Sequence, residues 1–383
     1  MIEKNIISAV KKVVKNGPKS LHQPLFDGNE KIYLNNCIKT GYVSYVGKYV
    51  NQFENKIQKF THSKYVIALI NGTSAIHILL KSIGVKNNDE VLLPSLTFVA
   101  TANAVKYCNA VPNFVDIETK TLGVCPDKLD LYLKKIAYKK GKNYINKYTN
   151  RKIAALIAVH LFGIPCKIEK IKKICDKYNI KVIEDAAEAM GSFFKKIHLG
   201  NFSEGGVVSF NGNKTITCGG GAVIMTSKKN LAKKIKHLST TAKIKHPWEY
   251  IHDEIGYNYR MTNLNAAVGC AQLENIISIL KAKRKNFQSY FNVFQNIKGV
   301  DIIKEPKQSK SNYWLITLNL KKNYRLKNTI LKKLNKLGFN ARAIWRPLHT
   351  LKFLKDCPKD NLLNTQNVYK RSINLPSSAK ISY

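Results

Sequence analysis

The chain is poor in acid and poorer in arginine. Its 383 residues carry 64 Lys plus Arg against 24 Asp plus Glu, a formal net charge of +40. Only seven of the basic residues are arginine, at 151, 260, 284, 325, 342, 346 and 371. Arginine is the side chain that reads phosphates and base edges bidentately, so its scarcity speaks against a nucleic-acid reader, although so large a charge ordinarily raises one. The lysines are scattered among Asn and Ile, with no basic tail and no zinc-finger or RNA-binding signature. That pattern suits a solvated surface, which would still attract a small acidic ligand such as a nucleotide diphosphate. Long apolar runs are missing too. None approaches the roughly 18 residues that cross a bilayer, and the opening MIEKNIISAVKKVVKNG is too short and too charged for a signal peptide. The eight cysteines, at 37, 108, 125, 166, 175, 218, 270 and 357, form no CxxC pair and no Cys/His set at zinc spacing. They read as reduced thiols of a cytoplasmic protein, with neither disulfide nor metal expected.

What is present is an alternation. The apolar run YVIALI (65–70) stops at NGTS, and a helical pattern follows in SAIHILLKSIGV, with Ile76, Leu79, Leu80 and Ile83 at three- and four-residue steps. The strand EVLLP, the helix-like TFVATANAVKYC, the strand NFVDI, the strand KIAALIAV (152–159), the amphipathic IEKIKKICDKY and the strand KVIED come next. Buried strands alternating with helices predict an α/β fold, a mostly parallel sheet between helices. A long helical stretch, NLNAAVGCAQLENIISILKAKRKNFQSYFNVFQ, leads into the strand-like NYWLITLNL, the helix-like LKNTILKKLNKLGF and the loop IWRPLHTL. The division expected is residues 1–270 as an N-terminal segment and large domain, and 271–383 as a connecting helix and smaller C-terminal α+β domain.

Ligands of such sheets gather at the carboxyl ends of the strands. Gly72, Thr73 and Ser74 stand where a strand becomes a helix, so N–H groups and hydroxyls with a helix dipole behind them suit a phosphate; an ordinary N-cap is the other reading. Asp185 ends KVIED, where a capping aspartate is the alternative. In SFNGNKTITCGGG (209–221), Ser209 and Lys214 precede three glycines that let the backbone approach something flat. A phosphate cradle, a carboxylate and a lysine at one sheet edge meet the needs of pyridoxal 5'-phosphate (PLP): the lysine bonds the aldehyde and the carboxylate keeps the ring nitrogen protonated.

The run from LFDGNEKIYLNNCIKTGYVSYVGKYVNQFE through NGTSA, PSLTFVATANA, VIEDAAEAMGS, SFNGNKTITCGGGA and EIGYNYRMTNLNAAVGCAQLE resembles the DegT/DnrJ-type sugar aminotransferases over nearly the whole chain. The resemblance implies a fold type I PLP-dependent transferase that moves an amino group from L-glutamate to the C4 keto group of a nucleotide-linked 4-keto-6-deoxy sugar. SFNGNK, EDAAEA and the extended N-terminus look most like the branch acting on UDP-2-acetamido-2,6-dideoxy-hexos-4-ulose, with GDP-4-keto-6-deoxymannose as the alternative acceptor. Position by position, it implies Lys214 and Asp185 as catalytic groups, phosphate contacts at Gly72, Thr73, Ser74 and Ser209, and an aromatic wall at Phe98. Asn258 would reach the phosphate of a neighbouring subunit, which makes the expected protein a homodimer with shared active sites. Arg260, Trp345, Arg346 and His349 are the substrate candidates. Glu188 departs from the His or Gln common in relatives; an ionised carboxylate facing the cofactor's phenolate would be repulsive, so it must hold its proton or turn elsewhere. His160 is expected to support the pocket and His77 to pack on its helix. Relatives that dehydrate sugars carry histidine where Lys214 stands, so the lysine argues for transamination. Two rivals remain: a non-enzymatic polyanion-binding protein, and a cofactor-binding regulator, for which no helix-turn-helix stretch is evident.

Overall fold

A computed structural model describes residues 2–380. The large domain is built on seven strands: β1 (Tyr65–Leu69), β2 (Glu90–Pro94), β3 (Val111–Val115), β4 (Arg151–Val159), β5 (Lys181–Asp185), β6 (Gly206–Ser209) and β7 (Ala222–Thr226), in the order β3-β2-β4-β5-β6-β7-β1. Neighbours from β3 to β6 run parallel, and β7 is antiparallel to both β6 and β1. The carboxyl ends of β1, β2, β4, β5 and β6 therefore share one edge. A hairpin, Ala137–Lys140 with Asn143–Asn146, adds to the β4 side.

The sheet is covered on both faces, and the period-2 geometry of strands sorts the residues. In β7, Ala222 and Ile224 pack with Ile76 and Leu79 of the helix Gly72–Ser82. Val223 and Met225 pack on the other face with Phe53, Ile57, Ala266 and Cys270, from the helices Lys48–Thr61 and Asn263–Glu274. This doubly covered, mostly parallel sheet is the architecture expected. The reversal of β7 is new, and its cause is the connection. Residues 210–221 contain no crossover helix, and a strand that returns without one has to run antiparallel. Lys214 lies in that return.

The long helical stretch is two helices, Asn263–Glu274 and Ile276–Phe294, parted at Asn275, whose φ of −101° and ψ of 3° leave the helical region. The small domain is a four-stranded antiparallel sheet of Asp301–Ile302, Ile316–Asn319, Ser372–Leu375 and Arg342–Ala343 in that spatial order. The strand expected over 312–320 is shortened to 316–319, because Ser311, Asn312 and Trp314, just before it, are drawn into bonds with the large domain, to Gly163, Ser192 and Asn213 among others. The helix Ile2–Val14 buries Ile6, Val10 and Val14 against Tyr290, Phe294 and Leu318, so the first residues of the chain complete the small-domain core. Among the described residues all eight cysteines are free thiols, and no helix is long and apolar enough to cross a membrane.

Candidate active site

The strand edge opens into a cavity of about 250 Å³ walled by Asn71, Gly72, Thr73, Ile76, Thr97, Phe98, Ala100, Thr101, Val159, Asp185, Ala187, Glu188, Ser209, Asn211, Asn213, Lys214, Trp314 and Trp345. Eight of the residues singled out in the sequence meet here: Gly72, Thr73, Phe98, Asp185, Glu188, Ser209, Lys214 and Trp345.

At the end of β1, Asn71 caps the helix that follows by accepting the Ser74 N–H at 2.8 Å. Asn71 sits in an Asn-Gly-Thr triplet that matches a glycosylation acceptor on paper, and its side chain is used as a cap. The cap consumes the Ser74 amide, and Ser74 is not on the cavity wall. The N–H groups of Gly72 and Thr73, in the first turn, have no intrahelical acceptor, and both residues line the cavity. A Cβ added at Gly72 would stand 3.2 Å from Ser209 Cβ and 3.3 Å from its Oγ, so a side chain there would fill the space between the helix start and Ser209.

Asp185 is buried at the end of β5. Its Oδ2 accepts from Thr101 Oγ1 at 2.7 Å and its Oδ1 from the Ala187 N–H at 3.1 Å. Burial nevertheless pushes its carboxyl above the usual range, which is the condition of an anion waiting for a cation. Glu188, one turn further on and equally buried, is raised by the same cause, opposed by Lys214 and by the Phe162 N–H. Its Oε2 accepts that N–H at 2.7 Å and its Oε1 lies 3.5 Å from Lys214 Nζ. Lys214 Nζ also sits 4.0 Å from the centre of the Trp314 ring, whose Nε1 donates to Asn213 O at 2.7 Å. Phe98 and Trp345 stand 5.3 Å apart at the mouth.

Four further candidates, Asn258, Arg260, Arg346 and His349, and the two histidines expected to be structural lie off the cavity wall. Asn258 Oδ1 accepts from Arg260 Nε at 3.0 Å and from Nη2 at 2.6 Å, and the Arg260 guanidinium is stacked 3.7 Å over Tyr45. Arg346 is exposed and donates to Thr350 Oγ1 at 3.2 Å. His349 Nδ1 pairs with Ser95 Oγ at 2.7 Å, and burial lowers its pKa. His160 is buried behind the wall: Nδ1 accepts the Cys166 N–H, so the proton is on Nε2, 3.0 Å from Glu184 Oε2. His77 packs against Tyr257 and Tyr259 with Nδ1 3.2 Å from the Tyr259 hydroxyl, and burial lowers its pKa to about 4. Away from the cavity, His237, Asp253 and Glu254 bring a ring nitrogen and two carboxylates within 4.8 Å of one another; exposed acidic groups gather this way without an ion.

Reading along the chain missed Thr101, Trp314 and Asn312. Thr101 follows Phe98, the N-cap of the helix Val99–Tyr107, by three residues, but nothing local ties it to Asp185. Trp314 and Asn312 precede a strand about a hundred residues after Lys214, where no local pattern marks them. The buried Asn312 amide donates to Glu188 O and Met190 O, both at 2.9 Å, and to Thr215 Oγ1 at 3.1 Å, while its Oδ1 accepts the Trp314 N–H at 2.9 Å. Gly163, at φ +85°, makes room for it: a Cβ there would stand 1.8 Å from Asn312 Oδ1.

Residues 25–383 match the DegT/DnrJ/EryC1/StrS aminotransferase family. The chain belongs to that family. It is 33% identical over 359 residues to the GDP-perosamine synthase of Vibrio cholerae, covering 93% of each chain. It is 34% identical over 365 residues to the GDP-perosamine synthase of Escherichia coli O157:H7, covering 94% of each. The fold superposes on Helicobacter pylori PseC, an aminotransferase involved in the biosynthesis of pseudoaminic acid, with a TM-score of 0.84 at 22% identity over 94% of both chains. This DegT/DnrJ/EryC1/StrS member is thus a PLP-dependent nucleotide-sugar aminotransferase of fold type I. Both relatives are named for a GDP-linked sugar, whereas the motifs led to the expectation of a UDP-linked acceptor.

Proposed function

We propose that the enzyme transfers the amino group of L-glutamate to the C4 keto group of GDP-4-keto-6-deoxymannose, with a UDP-linked 4-keto-6-deoxy-N-acetylhexosamine as the competing acceptor. The observation that carries the reaction class is the convergence of Lys214, Asp185 and the Gly72–Ser209 cradle on one cavity. The acceptor rests on the two GDP-sugar relatives, which match across nearly their full lengths.

The residues present fit PLP. The free first-turn amides, with the side-chain-free Gly72 opposite Ser209, suit a phosphate dianion. Asp185 presents a buried carboxylate for a cationic ring nitrogen, and Lys214 Nζ is in reach of an aldehyde at the same wall. When bound, the cofactor supplies an electron sink for the carbanion left by proton removal. The chain does the rest. Thr101 and Ala187 hold Asp185 in one orientation, so its charge is pre-set rather than gathered during reaction. Lys214 Nζ would take up the proton released by the substrate carbon in one half-reaction and return it in the other. Phe98 and Trp345 keep water from the apolar side of the mouth.

A homodimer with shared sites is part of this reading. The segment 256–262 alternates: Tyr257 and Tyr259 turn inward onto His77, so Asn258 and Arg260 turn outward, away from their own cavity. Nearby stand large apolar side chains that a monomer would leave wet, with Trp248 79%, Tyr250 82% and Ile255 84% exposed. Presenting Asn258 to a partner's phosphate accounts for both facts. A cytoplasmic location agrees with free thiols and with the absence of a membrane-spanning helix among the described residues.

The experiment is product analysis with GDP-, UDP- and dTDP-linked 4-ketosugars and L-glutamate. A 4-amino product from the GDP sugar at the highest kcat/KM is expected. Preference for the UDP sugar would overturn the acceptor, and no amine from any of them, together with salt-sensitive binding to nucleic acid, would favour a polyanion-binding protein.

A further inference from the structure

Phosphate, ring nitrogen and aldehyde leave one ionisable group of the wall without a task. Glu188 is buried, its backbone carbonyl is tied to Asn312 Nδ2 at 2.9 Å, and its Oε2 is tied to the Phe162 N–H at 2.7 Å. Phe162 holds that N–H in place from a left-handed conformation, φ 56°. The other carboxylate oxygen, Oε1, is aimed at Lys214 Nζ, 3.5 Å away. So firmly fixed a carboxylate is not a side chain that has turned aside.

We propose that Glu188 stores the proton of the cofactor-loading step: its carboxylate balances the Lys214 ammonium in the cofactor-free chain, then takes up the proton Lys214 gives away when its nitrogen bonds PLP. This rests on the reading that Lys214 is the bonding lysine. In the balanced step, the Lys214 –NH3⁺, the Glu188 –COO⁻ and the aldehyde give a neutral C=N bond, a Glu188 –COOH and one water. The aldehyde oxygen leaves with two of the lysine's protons, the third moves to Oε1, and charge is zero on both sides. The physical reason is desolvation. Two buried opposite charges in contact are tolerable, but a buried carboxylate that has lost its counter-ion is not. The charged groups facing Glu188 are Lys214, from the β6–β7 return, and Asp185, from the end of β5. Once the lysine no longer carries its ammonium, and with Asp185 committed to the ring nitrogen, the single Phe162 N–H is all that is left to hold a charge on Glu188, whose carboxyl burial already pushes upward. A neutral acid at this position donates a hydrogen bond, which also removes the repulsion an ionised residue 188 would offer the cofactor's phenolate.

The test is difference infrared spectroscopy as PLP is added to cofactor-free protein. A protonated-carboxyl C=O band that moves in heavy water is expected with the natural chain. It should be lost in Glu188→Gln, which keeps the side-chain shape and an oxygen for the Phe162 amide. In a second variant, Lys214→Met, the band should be present before any PLP is added, because the counter-ion is gone. No band in the natural chain, although borohydride fixes PLP on Lys214, would overturn the proton store and leave the lysine's role standing. A band that persists in Glu188→Gln would place the proton elsewhere and overturn it as well. Borohydride fixing PLP on some other residue would overturn the underlying reading first.

Discussion

Asn312 joins the small domain to both halves of the cofactor wall, and truncating it should show how much of the site's geometry is imposed from outside the large domain. Asn312→Ala removes a fully buried amide that serves the Glu188 and Met190 carbonyls, the Thr215 hydroxyl and the Trp314 N–H. Two amide protons shared among three acceptors plus one accepted bond amount to about three full hydrogen bonds, each worth about 1 kcal/mol net and more where the partner is left orphaned in the interior. The expected loss is about 3–5 kcal/mol, roughly a fifth or more of a total stability of about 5–15 kcal/mol. Urea unfolding of the cofactor-free protein reads it as a lower midpoint at unchanged slope. The comparison is Gln58→Ala, which removes a single exposed bond to Lys64 O at 2.8 Å and should change stability by less than about 0.5 kcal/mol. Because Glu188 and Thr215 flank Lys214, PLP affinity should fall together with stability. A loss under about 1 kcal/mol with normal PLP binding would refute the idea that this amide holds the wall.

Gly72→Ala should weaken PLP binding by at least about tenfold, roughly 1.4 kcal/mol, with little change in melting, since the new methyl meets Ser209 rather than the core; titration of cofactor-free protein at natural affinity would remove the cradle from the phosphate site. Asp185→Asn tests the strain of a waiting carboxylate. Its folded pKa is raised, so the folded chain binds more protons than the unfolded one above the ordinary carboxyl range, and stability falls as pH rises through the folded value. The cofactor-free Asn variant should therefore melt higher than the natural chain at pH 7, with the gap closing near pH 4, while binding PLP more weakly; a gap independent of pH would contradict this. Mixing inactive Lys214→Ala and Asn258→Ala chains should restore part of the activity through hybrid dimers that hold one intact site, and no recovery would count against Asn258 crossing to a partner.

The sheet was legible because central parallel strands are buried on both faces and read as apolar runs, as KIAALIAV and KVIED do. Direction was not legible in AVIMT (222–226), which looks the same whichever way it runs; the missing helix between Ser209 and Ala222 was the usable sign. Gly72, Asp185, Ser209 and Lys214 were legible for a shared reason, since each follows a strand and parallel strands bring their carboxyl ends together. Their partners were not. Thr101 meets Asp185 from a helix 84 residues earlier, and nothing in a single sequence announces that pairing.

The split among the candidates has a geometric cause. Residues that end strands arrive at the cavity because the sheet's parallel register delivers them there, whatever the loops do. Asn258, Arg260, Arg346 and His349 sit in connections whose direction depends on what they pack against, and in each case a local partner has captured the side chain: Asn258 and Arg260 hold one another, Arg346 holds Thr350, and His349 holds Ser95. For the first pair the captured geometry points out of the molecule, which is where a partner subunit would stand. Arg346 and His349 have only intramolecular bonds to exchange, so their entry into the site would require breaking the Thr350 and Ser95 contacts as substrate binds. Trp345, immediately before Arg346 in sequence and already on the wall, has a buried indole N–H without an acceptor among the described residues. An unpaired buried donor costs about 1–3 kcal/mol, so of the residues in that loop it is the one with most to gain from a hydrogen-bonding substrate.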